Sequence, residues 1–99
     1  MERDIMAEIA AKVTVRGKVQ GVGYRAYVQE KAAGAHVRGW VRNAEDGSVE
    51  ALLAGEALDI EKVVQEMRGG PSGAQVEDVQ SAPASTDEAR GCKDLVVRQ

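Results

Sequence analysis

Apolar residues recur along this chain in two rhythms. Around 12–19 they take every second position, at Val13, Val15 and, past an interruption at Gly17, Val19. That is the period of a strand with one buried face. Over 23–33 the rhythm changes: Tyr24, Tyr27, Val28 and Ala32 stand three and four apart, as on one face of a helix. Gly34 supplies a stop signal. A second strand is expected over 37–43, carrying Trp40, and a third over 49–54, where Val49, Ala51 and Leu53 alternate with Glu50, Leu52 and Ala54. The Glu45-Asp46-Gly47-Ser48 segment between them reads as a hairpin turn, Asp-Gly being its strongest short signal. After Gly55 a second helix is expected over 57–68, with Ile60, Val63, Val64 and Met67 at helical spacing and Gly69-Gly70-Pro71 ending it. A strand over 75–79, a polar stretch over 80–93 and a closing strand over 94–98 complete the pattern.

The order βαββαβ plus a final strand predicts an α+β, ferredoxin-like open sandwich, an antiparallel sheet with both helices on one face. Strands one and three belong at its centre. Residues 1–11 show no strand alternation and are expected to form a flexible leader to a single domain over 12–99. No repeat or linker divides that domain.

Composition adds limits. Ninety-nine residues, 43% of them hydrophobic but with no Phe, one Trp and two Tyr, predict a modest aliphatic core. The single Cys92 forms no intramolecular disulfide, so nothing asks for an oxidising compartment. The acidic start has no long apolar run and reads as no signal peptide. No stretch reaches the ~20 apolar residues of a membrane span. A cytoplasmic protein with no membrane partner is expected, and its acidic surface favours a monomer. The net charge of −3 argues weakly against nucleic acid. Its distribution is uneven: residues 1–43 carry +4 and residues 44–99 carry −7. The basic half is the one that holds the stretch of greatest chemical interest.

That stretch is Val15-Arg16-Gly17-Lys18-Val19-Gln20-Gly21-Val22-Gly23-Tyr24-Arg25. It begins as a strand, loses its side chains at Gly21 and Gly23, and restarts as a helix. A glycine loop entering a helix offers several N–H groups to one point, with the positive helix end behind them. Arg25 in the first turn adds a permanent fork of donors suited to phosphate. The reading is an anion cradle for a phosphoryl group. Gly21-Val22-Gly23-Tyr24-Arg25-Ala26 also spells G-x-G-x-x-A, but a hairpin follows where a dinucleotide fold needs another βα unit, and the chain is too short for a doubly wound sheet. No Gly-Lys-Ser/Thr follows, so it is no Walker loop.

Asn43, at the end of the second strand, has two readings: an Asx turn, or an amide that holds a water or a phosphate oxygen. Trp40 reads as core or half-buried packing, His36 as a loop residue, and Cys92 as a thiol in a polar loop without a partner. No spacing suggests a Ser-His-Asp set, a carboxylate pair or a metal cluster, so any catalysis here must rest on positioning and charge stabilisation.

With those motifs in view, Val15-x-Gly17-x-Val19-Gln20-Gly21-Val22-Gly23-Tyr24-Arg25, Gly39-Trp40-Val41-Arg42-Asn43 and Asp46-Gly47-Ser48-Val49-Glu50 together resemble the acylphosphatase family. Gly70-Pro71 followed by Ala74-x-Val76 is similar to that family's segment after helix two. The resemblance implies hydrolysis of the carboxyl–phosphate bond in acyl phosphates, with no metal and no cofactor. It implies that Arg25 binds phosphate, that Asn43 orients the water, and that Gln20, Gly21, Val22, Gly23 and Tyr24 form the phosphate loop through their backbone N–H groups. Four positions depart from the family's habit: Tyr24 for Phe, His36 for Gly (implying either φ > 0 there or a helix that ends one turn early at Gly34), Ala44 for a hydroxyl residue, and Leu95 for Phe. The alternative is a non-catalytic binding module for an anion or acyl phosphate. An RNA-binding sheet would need exposed rings on strands one and three, which carry none.

Overall fold

The computed structural model describes residues 8–99. Its elements run β1 (Ile9–Lys18), α1 (Tyr24–Gly34), β2 (Arg38–Asn43), β3 (Val49–Gly55), α2 (Ala57–Gly69), β4 (Gln75–Ala84), a short 3₁₀ turn (Thr86–Ala89) and β5 (Leu95–Arg98). The strands lie in the order β4-β1-β3-β2-β5. The first four pair antiparallel, while β5 runs parallel to β2, so the five-stranded sheet is mixed rather than purely antiparallel. The ferredoxin-like plan stands, with β1 and β3 inside the sheet as the alternation predicts.

Both helices cover one face. Val13 and Val15 of β1, Val41 of β2 and Val49, Ala51 and Leu53 of β3 meet Tyr24, Val28 and Ala32 of α1 and Ile60, Val63 and Met67 of α2 in the main core. Each large aliphatic side chain buried there contributes roughly 1.5–3 kcal/mol by leaving water. The register explains the sorting: Val13 faces Ala51 and Ala11 faces Leu53. Residues of the other parity point away from the helices. Those in the middle of the sheet are buried too, because the chain after β4 folds back over them. Leu52, Ala54, Ala10 and Trp40 pack with Ala89 and Cys92 in a second, smaller cluster. Cys92, expected in a polar loop, therefore lies buried. Trp40 is only 8% exposed, with Lys12 Nζ 5.9 Å and the Arg42 and Arg98 guanidiniums 5.4 Å from its ring.

Three boundaries differ from the sequence expectations. Ile9, Ala10 and Ala11, expected in the leader, are strand residues paired with Gly55, Ala54 and Leu53 of β3; residues 1–7 lie outside the described residues. The fourth strand runs five residues further than expected, to Ala84, as the edge partner of β1. Its register slips between Arg16 and Gly17, which leaves Glu77 as a bulge. Gly17 sits at φ 128, and a Cβ there would run into the carbonyl oxygen of Gln75. Finally, α1 continues through Gly34, and the left-handed residue past it is His36, at φ 60.

Candidate active site

Beyond Lys18 the backbone leaves the sheet, turns over residues 19–23 and enters α1 at Tyr24. Val19 stays in the core, and Val22 packs against it. On either side of Val22 the chain turns outward at Gly21 and Gly23, both at φ 78, a left-handed conformation that glycine adopts without strain. A Cβ at either position would meet no protein atom within 4 Å. The need for glycine is therefore conformational, and the open space above both residues lets a ligand approach the backbone.

Gly23 is the N-cap of α1 and offers no side-chain cap. Among the described residues, the N–H groups of residues 20–26 donate no hydrogen bond to the protein; the first N–H used is that of Tyr27, to Gly23 O at 3.0 Å. A run of free donors at a helix start is a ready anion site.

The side chains around the loop hold it in place. Tyr24 is turned into the core, where its Oη donates to the Met67 carbonyl of α2 at 2.6 Å. Burial, with a smaller effect from neighbouring Tyr27, pushes its phenol pKa well above the ordinary value, so the hydroxyl remains a donor. Only the backbone of Tyr24 is left to serve a ligand. Gln20 also turns from the pocket: its Nε2 donates to the carbonyls of Ala44 and Ser48, each at 2.9 Å. Arg25 lies half-buried, with Nη1 donating to Arg98 O of β5 at 2.7 Å. One helical turn on, Gln29 Nε2 donates to Leu95 O at 3.1 Å.

Asn43 ends β2 on the same face as Val41, toward the helices. The turn after it is tightly bonded. Ala44 N donates to Ser48 O, Gly47 N to Ala44 O, and both the hydroxyl and the N–H of Ser48 donate to Asp46 Oδ1, at 2.6 and 3.0 Å. Arg16 adds an ion pair to Asp46 Oδ2 at 2.9 Å. The Ser48 bonds, and then Arg16, hold the Asp46 carboxyl well below the usual carboxylate range.

These elements meet at one pocket of about 400 Å³, bordered by Val19, Gly21, Gly23, Tyr24, Arg25, Ala26, Gln29, Asn43 and Val97. Of the residues singled out in the sequence, Gly21, Gly23, Tyr24, Arg25 and Asn43 come together there. The side chains of Gln20 and Val22 lie elsewhere. Gln29 and Val97 were not singled out. Gln29 stands four residues after Arg25, a spacing that could have flagged it; Val97 arrives through the parallel β5 pairing, which has no local signal. Among the described residues of the basic half, Arg25 is the one cation bordering the pocket, while Arg16, Arg38 and Arg42 pair with Asp46, Glu8 and Glu50. Among the described residues no group of three or more His, Cys, Asp or Glu side chains could hold a metal ion, and no helix is long and apolar enough to cross a membrane.

The arrangement suits an anionic group seated on backbone donors beside a guanidinium, with a side-chain amide at its flank. Known proteins share the fold and much of the sequence. The family model for acylphosphatase matches residues 11–94. An acylphosphatase of Rhodopseudomonas palustris (strain BisB18) is 49% identical over 82 residues, 83% of each chain. A solved acylphosphatase from Coxiella burnetii superposes with a TM-score of 0.83 at 35% identity, over 92% of this chain and 93% of its own. That of Bacillus subtilis superposes with a TM-score of 0.84 at 28% identity, over 92% and 99%.

Proposed function

This chain belongs to the acylphosphatase family, and we propose that it splits the carboxyl–phosphate bond of acyl phosphates by in-line attack of a water oriented by Asn43. The products are a carboxylate and inorganic phosphate. The observation that carries the route is the convergence of Gly21, Gly23, Tyr24, Arg25 and Asn43 on one pocket.

The chemistry asks little of the protein. An acyl phosphate already has a good leaving group, so the enzyme need only hold the phosphoryl oxygens, offset their charge and place a water. The free N–H groups of Gly21, Val22, Gly23 and Tyr24 take the phosphoryl oxygens, and the Arg25 guanidinium supplies the counter-charge. Because the Arg98 carbonyl already orients that guanidinium, little reorganisation is needed as charge develops. Asn43 holds the water opposite the acyl oxygen. The water oxygen forms a bond to phosphorus, the bond from phosphorus to the acyl oxygen breaks, and its electron pair leaves with the carboxylate. The water's proton passes to the substrate itself. The enzyme works as a cytoplasmic monomer on this reading, which its single cysteine and acidic surface favour.

Phosphate release from benzoyl phosphate, measured with EDTA present, tests the assignment. Wild type turns over, and Arg25→Ala and Asn43→Ala each lower kcat by roughly 10²–10³-fold, as loss of a preorganised donor does elsewhere, with unchanged circular dichroism. A folded wild type that releases no phosphate above the buffer rate would reduce the protein to an anion-binding module.

A further inference from the structure

The two halves of the pocket come from strands that do not touch. The glycine loop follows β1 and Asn43 ends β2, while β3 lies between them. Two strand spacings separate β1 from β2, about 10 Å. The ladders join Asn43 to Val49 and Val49 to Val15, where the pairing of β1 with β3 ends, short of the loop, so a contact beyond them sets the distance from loop to amide.

The fork made by Gln20 spans that gap. Both its bonds go from the loop to the β2–β3 turn, one to the carbonyl of Ala44, the residue after Asn43, and one to that of Ser48. Each carbonyl already accepts a bond within the turn, from Gly47 N and Ala44 N respectively, so Gln20 takes the second lone pair of each. The receiving end is firm, because Ser48 is buried and doubly bonded to Asp46, which Arg16 of β1 holds in turn.

We propose that Gln20 is a positioning residue: its amide fixes the spacing between the phosphate loop and Asn43 without touching the substrate. The inference rests on the reaction assigned above and narrows one part of it, the side-chain role of a loop residue. Removing the fork leaves the loop amides and Arg25 able to hold phosphate but loosens their spacing from Asn43. The loss falls on kcat more than on KM, and it depends on Asn43 being present.

Two measurements decide this. The first is benzoyl phosphate kinetics for Gln20→Ala, Asn43→Ala and the double variant. Gln20→Ala lowers kcat at least tenfold with KM changed less than threefold, and the double variant is no worse than Asn43→Ala by more than about twofold. Independent, multiplicative losses would overturn the proposal, as would a raised KM at unchanged kcat, which would put Gln20 on the substrate. The second is a titration with inorganic phosphate followed by amide NMR, which needs no turnover. In wild type the signals of Gly21, Gly23 and the Asn43 side-chain amide all shift; in Gln20→Ala the Asn43 signal no longer does. An Asn43 response that survives in Gln20→Ala would overturn the proposal even if wild type proved inactive, whereas inactivity alone would count only against the hydrolase reading.

Discussion

His36 shows how one residue sets an element's end. Val37 N–H bonds to Ala32 O and His36 N–H to Ala33 O, closing α1 with the paired bonds of a Schellman motif. That motif needs its C′ residue in the left-handed region, where His36 sits at φ 60. Its apolar clasp is present as well, since Val37 and Ala32 are both buried in the main core. The local pattern shows a helix stop but points to Gly34, because glycine advertises the left-handed conformation and histidine does not; φ > 0 at His36 is one of two outcomes that the family resemblance implies. A side chain held there costs about 1–2 kcal/mol against the right-handed region, while glycine brings back part of that as unfolded-chain entropy. His36→Gly should therefore raise stability by about 1 kcal/mol, a few degrees in the melting midpoint of a domain this size. Thermal unfolding of the two proteins checks it; an unchanged or lower midpoint would mean that His36 makes compensating contacts. Because His36 lies outside the pocket, turnover should not change.

At the scale of elements, the β2–β3 hairpin connects fold to site. Its turn was legible from Asp46-Gly47, but not its bonding, since Gln20 and Arg16 reach it from 28 and 30 residues away. The hairpin also carries a pH dependence. The folded-state pKa of Asp46 lies below its ordinary value, chiefly through the bonds from Ser48. A lowered carboxyl pKa adds stability above the unfolded value, near pH 4, and that stability is lost as the pH falls from there through the folded value. Asp46→Asn should thus be less stable than wild type at neutral pH, with the gap narrowing below about pH 4. Urea unfolding at pH 7 and pH 3 measures it, and a gap that stays constant would remove Asp46 from the turn's acid response. Elsewhere the missed elements share a physical reason. The far half of β4, Gln80-Ser81-Ala82-Pro83-Ala84, is an exposed edge strand with no apolar stripe to reveal it, and an edge tolerates Pro83 where an inner strand would not. Ile9-Ala10-Ala11 escaped notice because small alanines on both faces hide the alternation.

For the whole molecule, the plan was readable because two periods, two glycine stops and one Asp-Gly turn all agree on it. What local pattern could not show is the second layer. Leu52 and Ala54 looked like the outer face of β3, yet the polar stretch after β4 folds back and buries them with Trp40 and Cys92. Charge is also rearranged by folding. Lys12, Arg42 and Arg98 of the β-sheet gather around Trp40, on the face away from the helices, so the excess of basic residues in the first half does not concentrate at the pocket. Among the described residues Arg25 is left as the cation bordering the pocket, so geometry counts there more than net field. On the proposed route, water attacks phosphorus. Hydrolysis of benzoyl phosphate in ¹⁸O-water, with the products analysed by mass spectrometry, shows which atom the water reaches. One label is expected in the phosphate and none in the benzoate; label in the benzoate would mean attack at the acyl carbon and would overturn the proposed route.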